Sequence, residues 1–530
     1  MGVGPTLGTG VFLAGGQALA VGGPGSLLVS YISLSLLVYF MATSVGEVAT
    51  YGPRRHGTMI MHGYRYMKNN SFAFATASLR WYTMAMFVPY EIMTSMVTIG
   101  QWTPGKPIGT WLILVTLSTV ALNIVPDHIF KSSEKLLHRV KIGTLASLVA
   151  LSLSICLGGR TGYDRWGFQY WKNPGAMPEY LARGSVGKFL GFLQSLHLST
   201  AAFSFVPEMI VHRAELAEAT DETEITEQIQ PAENSNIPRK VTADVFQTTV
   251  PYILSSLCMG VMAPYNDPLL TNNGTGAGMS PFVIGMYRAR IKIIPVTATV
   301  AIFLSSVASS HTFLYLASRS LQAMAQADQA PSMFKIQNSW DVPWVSVLFT
   351  STFTSLALFS MATSSSIMTT YFILFVSSSG YLSWMLSCVI YRRYRQHLHA
   401  HKVTTAYRHS VQPLGSIVSF IVSTLLLLSN GLISAVPGNK TGPRGARIAM
   451  SYLSIPLFVF LYLIHRFGEA IPRHFDSQKS SVREAPESPT KTPITKYPPP
   501  VRLPHGRSLQ PPAAIDLDQV WVMAREARDT

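Results

Sequence analysis

The stretch Gly4-Pro5-Thr6-Leu7-Gly8-Thr9-Gly10 heads an apolar run that continues through Val11-Phe12-Leu13-Ala14 and beyond. A run of roughly 20 such residues is long enough to cross a bilayer as a helix. Inside it, glycine is a poor helix former and Pro5 has no backbone N–H to donate. In a soluble helix these residues would argue against the assignment. In a membrane bundle, neighbouring helices can satisfy the freed backbone groups. Two readings stand side by side. A broken membrane helix aims N–H groups at one spot, which suits a carboxylate, and carbonyls at another, which suits an ammonium or a cation; a free amino acid carries both charges. Alternatively, Gly4 and Gly8 form a small-residue face for close helix packing. The spacing supports both equally.

The rest of the chain repeats the apolar length. Of 530 residues, 48% are hydrophobic and 13% charged, against roughly 25% charged in soluble domains. Long apolar runs alternate with short polar punctuation, which reads as repeated membrane crossings. The fold class is an all-α polytopic membrane protein of about twelve transmembrane helices. They fall at roughly 1–20, 24–48, 73–100, 108–125, 136–158, 188–211, 243–263, 295–323, 343–361, 367–391, 412–435 and 449–466. Cys156, Cys258 and Cys388 each sit in an apolar run and give neither a disulfide framework nor a zinc spacing. The polar residues lie in loops or singly in spans, so no catalytic constellation points to an enzyme, and no cofactor or metal is expected.

Basic residues orient the spans. Arg54, Arg55, Arg65 and Lys68 follow span 2; Lys131, Lys135 and Arg139 lie around the start of span 5; Arg392, Arg393, Arg395, Lys402 and Arg408 follow span 10. All fall on one side if the spans alternate, and basic short loops stay cytoplasmic. Both termini are then cytoplasmic. Arg160, Arg165, Lys172 and Arg183, between spans 5 and 6, make the bias imperfect. The sequons at Asn273 and Asn439 fall outside, as glycosylation requires, and that at Asn69 inside. Topology thus accounts for much of the net charge of +15, and no nucleic-acid partner is needed. The partners are the lipid bilayer and a transported solute.

Residues 215–233 hold Glu215, Glu218, Asp221, Glu222, Glu224, Glu227 and Glu233 with no Lys or Arg, which reads as a solvated cytoplasmic loop. The segment from 467 to 530 is proline-rich, as at Pro498-Pro499-Pro500, and is expected to be a disordered cytoplasmic tail. Loop and tail are the segments open to cytoplasmic regulators.

Beyond composition, a series of motifs resembles one family. Gly4-Pro5-Thr6-Leu7-Gly8-Thr9-Gly10-Val11-Phe12-Leu13 looks like the G-G-T-I-G-T-G-L-F-L opening of amino-acid permeases in the amino acid–polyamine–organocation superfamily, of the yeast amino-acid transporter kind. In order there follow Gly22-Gly23-Pro24, Gly46-Glu47-Val48-Ala49-Thr50-Tyr51 (the family's G-E-M-A-T-Y), Pro89-Tyr90-Glu91, and Tyr170-Trp171-Lys172-Asn173-Pro174-Gly175-Ala176. Then come Ala202-Phe203-Ser204-Phe205, Pro264-Tyr265-Asn266-Asp267-Pro268, Ser280-Pro281-Phe282-Val283, Leu316-Ala317-Ser318-Arg319-Ser320-Leu321 and Gln329-Ala330-Pro331. The resemblance covers residues 1–466, the expected permease domain, and leaves out the tail. Single motifs are weak; their succession in order is specific.

The resemblance implies a LeuT-type architecture: two inverted repeats of five spans, with two helices added and spans 1 and 6 unwound at the membrane midplane. It implies a secondary active transporter of the plasma membrane that imports amino acids, with a proton as coupling ion. Carried over residue by residue, Thr6, Leu7, Gly8, Thr9 and Gly10 would hold the substrate carboxylate through backbone N–H groups. Carbonyls near Val3 and around Phe203 and Ser204 would hold the ammonium, with Phe205 as gate or side-chain contact. Helix packing is the competing reading for both phenylalanines. Lys141 matches the family lysine whose ammonium can replace a sodium ion, and Glu208 stands one position from a family glutamate; both are candidates for proton coupling. Glu47 and Glu91 match family carboxylates. Tyr82, Ser310 and Ser378 are selectivity candidates. Against the family pattern, the chain opens almost at the glycine stretch, so span 1 is expected to be truncated. Val206-Pro207-Glu208 also replaces the usual glycine before the glutamate. A permease-like amino-acid receptor and a non-transporting homologue are the alternative readings.

Overall fold

A computed structural model describes residues 10–51, 63, 66, 67, 69–101, 108–158, 166–211, 237–272, 277–291, 293–362, 364–401, 407–437 and 442–480. Among the described residues the regular structure is helical, without strands. The first helix, α1 (10–22), opens with a π-helical turn, Gly10–Ala14, and meets α2 (24–51) at Gly23. There follow α3 (Asn70–Gly100), α4 (Ile108–Ile124), α5 (Asp127–Cys156), α6 (Gly184–Ser199), α7 (206–211) and α8 (Ile237–Met262). The short α9 (Pro281–Arg288) leads into α10 (Ile294–Gln326) and α11 (Trp344–Ser351), which continues as a 3₁₀ turn into α12 (Phe359–Ala362). The last four are α13 (Ser365–Ala400), α14 (Leu414–Ala435), α15 (Arg444–Tyr452) and α16 (Ser454–Ser480).

The residues make an inside-out protein. On α14, Ile417, Ile421, Leu425, Leu428 and Leu432 form a stripe that is half or more exposed. Ser416, Ser419, Ser423, Asn430 and Ser434, on the opposite face, are buried. Such a stripe in water would leave apolar area unburied at roughly 25 cal/mol per Å²; against acyl chains it costs nothing. Two of these hydroxyls bond back to the preceding turn, Ser416 to the Pro413 carbonyl at 2.8 Å and Ser434 to the Asn430 carbonyl at 2.9 Å, so that they are satisfied without water. Among the described residues, eight helices are long and apolar enough to cross a membrane, and a ninth if α15 and α16, bent by 47°, are one crossing. Spans 1 and 2 of the sequence reading share one of the eight; α3 and α4 lie outside the criterion yet are helical where spans 3 and 4 were expected.

Two differences from the sequence reading have plain causes. The fifth helix begins at Asp127 rather than near 136, because its first turns are polar and hydropathy does not see them. The boundary expected at 467 falls inside α16, which runs to Ser480; a helix already nucleated extends past the bilayer face at small cost. The acidic stretch 215–233 and the sequons at Asn273 and Asn439 lie outside the described residues.

Helices α1 and α2 pack on α6 and α8, and α3 packs on α10 and α13. Motifs distant in sequence meet. Gly25 donates its N–H to the Ala176 carbonyl at 2.9 Å, joining the Gly22-Gly23-Pro24 turn to the Tyr170–Ala176 loop.

Candidate functional site

The sixth span is helical only to Ser199. Residues Thr200–Ala202 tighten into a 3₁₀ turn, and helix resumes at 206. The local cause is competition for carbonyls. Ser199 and Thr200 hydroxyls donate to the carbonyls of Ser195 and Leu196 at 2.8 and 2.9 Å. The N–H groups of Phe203 and Ser204 then converge on one carbonyl, that of Thr200, at 2.9 and 3.0 Å, and Pro207 supplies no N–H at all.

Helix α13 holds this break from outside. The buried Tyr381 hydroxyl bonds Thr200 Oγ1 at 2.6 Å and His197 Nδ1 at 3.0 Å. The Trp384 indole donates to the Ser204 carbonyl at 3.1 Å. Gly380 lets the chains approach, since a Cβ there would lie 2.7 Å from Ser204 Oγ. His197, to which the sequence assigned no role, is satisfied on both ring nitrogens, the second by Ser429 at 3.2 Å.

The opening of α1 lies against the break. A Cβ on Gly10 would come within 2.9 Å of Ala202 Cα, closer than real contacts, so this approach requires glycine. Gly10 is thus brought to the break as expected. Val3, Thr6, Leu7, Gly8 and Thr9 lie outside the described residues. Phe203 and Phe205 point in different directions. Phe203 is buried edge-on between Tyr31 of α2 and Tyr252 of α8, with centroids at 5.3 and 5.2 Å, which is packing. Phe205 meets Phe87 of α3 and Phe313 of α10 at 5.2 and 5.8 Å, and those two stack at 4.5 Å. Of the ammonium-binding carbonyls, Ser204's already accepts the Trp384 indole.

One turn before Phe313 on α10, Ser309 accepts a hydrogen bond at 2.8 Å from the buried ammonium of Lys141. Glu91 and Glu134 both act electrostatically on that lysine. Lys141 thus reaches α10 one turn from Phe313. Glu208 is not placed with it: its carboxylate pairs with Arg80 of α3 and accepts from Ser383 at 3.3 Å. Glu47 likewise has a structural partner, Arg395, at 2.7 Å. Of the selectivity candidates, Ser310 is engaged with Thr119 of α4 and Ser378 with Ser454 of α16. Tyr82 packs on Phe353 and Phe375.

The sequence reading missed Tyr381, Trp384 and Gly380, whose roles depend on a contact across the fold. It also missed Glu134, whose position seven residues before Lys141 on one helix was a readable signal.

Comparison with known proteins adds the following. A family model described as amino acid permease matches residues 1–477. The chain is 32% identical to the proline-specific permease of Emericella nidulans over 89% of this chain and 84% of that one. It is 29% identical to the proline-specific permease of Saccharomyces cerevisiae over 88% and 73%. Among solved structures, the Eremococcus coleocola manganese transporter bound to an aromatic bis-isothiourea compound shares the fold, with 13% identity, TM-score 0.53 and coverage of 89% of this chain and 94% of that chain.

Proposed function

The chain belongs to the amino acid permease family, and on that premise we propose that it imports a neutral, apolar amino acid by proton symport, with both termini in the cytoplasm of a plasma-membrane transporter. The observation that carries this reading is the meeting of the α1 opening with the α6 break at Gly10 and Ala202; Phe205 of the same break meets Phe313, one α10 turn from the Ser309 that Lys141 bonds. Backbone N–H groups from Thr6 to Gly10 receive the carboxylate. Carbonyls of the break and near Val3 receive the ammonium. Phe87, Phe205 and Phe313 form an apolar wall for the side chain. Such a wall suits proline, the substrate named for the relatives. The charge on Lys141 stands where a coupling cation would otherwise be needed, since an uncompensated charge change at membrane depth costs several kcal/mol. Glu208, held by Arg80, serves the break as a clamp between α3 and α7. The permease domain is 1–466; the acidic stretch 215–233 and the tail 467–530 are the segments for regulation.

Uptake of labelled proline into proteoliposomes under an imposed pH gradient tests the proposal. Wild-type protein should accumulate proline without sodium. Lys141→Ala should abolish accumulation while remaining monodisperse in detergent. A sodium requirement, or unchanged accumulation in Lys141→Ala, refutes the proton reading.

A further inference from the structure

Glu134, His138 and Lys141 stand at i, i+4 and i+7 on α5, a spacing that puts them on one face over about 10 Å of helix rise. This face turns inward. Together with Phe130 of α5 and His311 and Thr312 of α10, it lines a cavity of about 20 Å³, room for a single water molecule. Polar atoms aim into it. Both carboxylate oxygens of Glu134 and Nδ1 of His311 are buried without a hydrogen-bond partner among the described residues. Leaving such buried polar groups without any partner is destabilising. His311 is only 5% exposed. The charged groups acting on Lys141 are Glu91 from α3 and Glu134 from its own helix; from α10 it meets Ser309 and, across the cavity, His311.

A packing role alone would favour apolar residues on this face, since apart from Ser133, whose hydroxyl bonds its own helix, the remaining wall is Leu122, Phe130, Leu137 and Ala308. Four titratable side chains, Glu134, His138, Lys141 and His311, around a water-sized space, with Glu134 nearest the start of α5, make a different device. We propose that Glu134 and His311, with one water between them and Lys141, form the cytoplasmic exit for the coupled proton. Lys141 loses an N–H proton to the water as the water passes one of its own to the Glu134 carboxylate. Glu134 then releases it toward the cytoplasm, and Lys141 is left as the neutral amine. His311 is a positioning residue: its Nδ1 accepts a hydrogen bond from the water and orients it. This rests on the proton-symport reading and adds the route.

The test uses the full chain in proteoliposomes with an internal pH dye, comparing proline uptake driven by a pH gradient with exchange of labelled for unlabelled proline at equal pH. Exchange needs no deprotonation of Lys141. Glu134→Gln should lower gradient-driven uptake about 100-fold, the scale of a lost proton-transfer group, and leave exchange at the wild-type rate. Glu134→Asp should recover part of the driven uptake. His311→Asn should give an intermediate loss and displace the pH profile of driven uptake. Driven uptake and pH profile unchanged in Glu134→Gln overturn the route while leaving proton symport standing. Equal loss of exchange and driven uptake overturns it too, because that marks a structural role. Wild-type uptake indifferent to the gradient overturns the symport reading itself.

Discussion

The helical path is interrupted at 22–24 and again at 200–205, and the two interruptions are built by different means. At the first, the residues themselves are the cause. Gly23 sits at φ 75, ψ 174, a region essentially closed to residues with a Cβ, and Pro24 starts the next helix. At the second, Thr200-Ala201-Ala202-Phe203-Ser204-Phe205 contains neither glycine nor proline. The hydroxyls of Ser199 and Thr200 and the missing N–H of Pro207 loosen the helix there without forbidding it. The break is sustained by Tyr381, Trp384 and Gly380 of α13 and by the approach of Gly10. A turn written in glycine is rigid and belongs to the scaffold. A turn held by side chains from another helix can be loosened when that helix moves, which is the property a gated binding site requires.

Substitutions can break or sharpen this contrast. The largest effect is expected from Gly23→Val. The forced dihedrals, and a Cβ 2.6 Å from the Ala176 carbonyl oxygen, should together cost about 3 kcal/mol or more, seen as loss of the monodisperse peak in detergent. A stable Gly23→Val protein would mean the first turn is not locally determined. Next comes Gly10→Val, which should leave the protein monodisperse yet weaken proline binding about 100-fold, since it displaces the α1 opening from the break. Aggregation of this variant would instead make the contact one of packing alone. The smallest effect is expected from Trp384→Phe, which removes one hydrogen bond to the Ser204 carbonyl. A loss of about 1 kcal/mol, or roughly a fivefold rise in the KM for proline, is expected. An unchanged KM would show that α13 does not hold the second break.

Much of the site was legible early, and the misses have a common cause. Gly10 drew attention because glycine in an apolar run is informative wherever it sits, and the structure sets it against the sixth-span break. Glu208 was grouped with Lys141 because it stands one position from a family glutamate; the structure pairs it with Arg80, a partner that no spacing on its own helix could reveal. Phe203 and Phe205 looked equivalent in sequence, two residues apart, yet one is locked between Tyr31 and Tyr252 and the other faces Phe87 and Phe313.

By itself, the sequence determined that the chain crosses a membrane repeatedly, about where most of its helices lie, and that the path turns at Gly22-Gly23-Pro24. Hydropathy, glycine and proline act at the residue that bears them, so these features need no knowledge of the fold. Only the tertiary structure decided where the sixth span breaks, which carboxylates act on Lys141, and which phenylalanine meets Phe87 and Phe313. Each of these depends on contacts between residues far apart in the chain, such as Trp384 with Ser204 at a separation of 180. Pattern within one helix carries no information about what a distant helix will place against it.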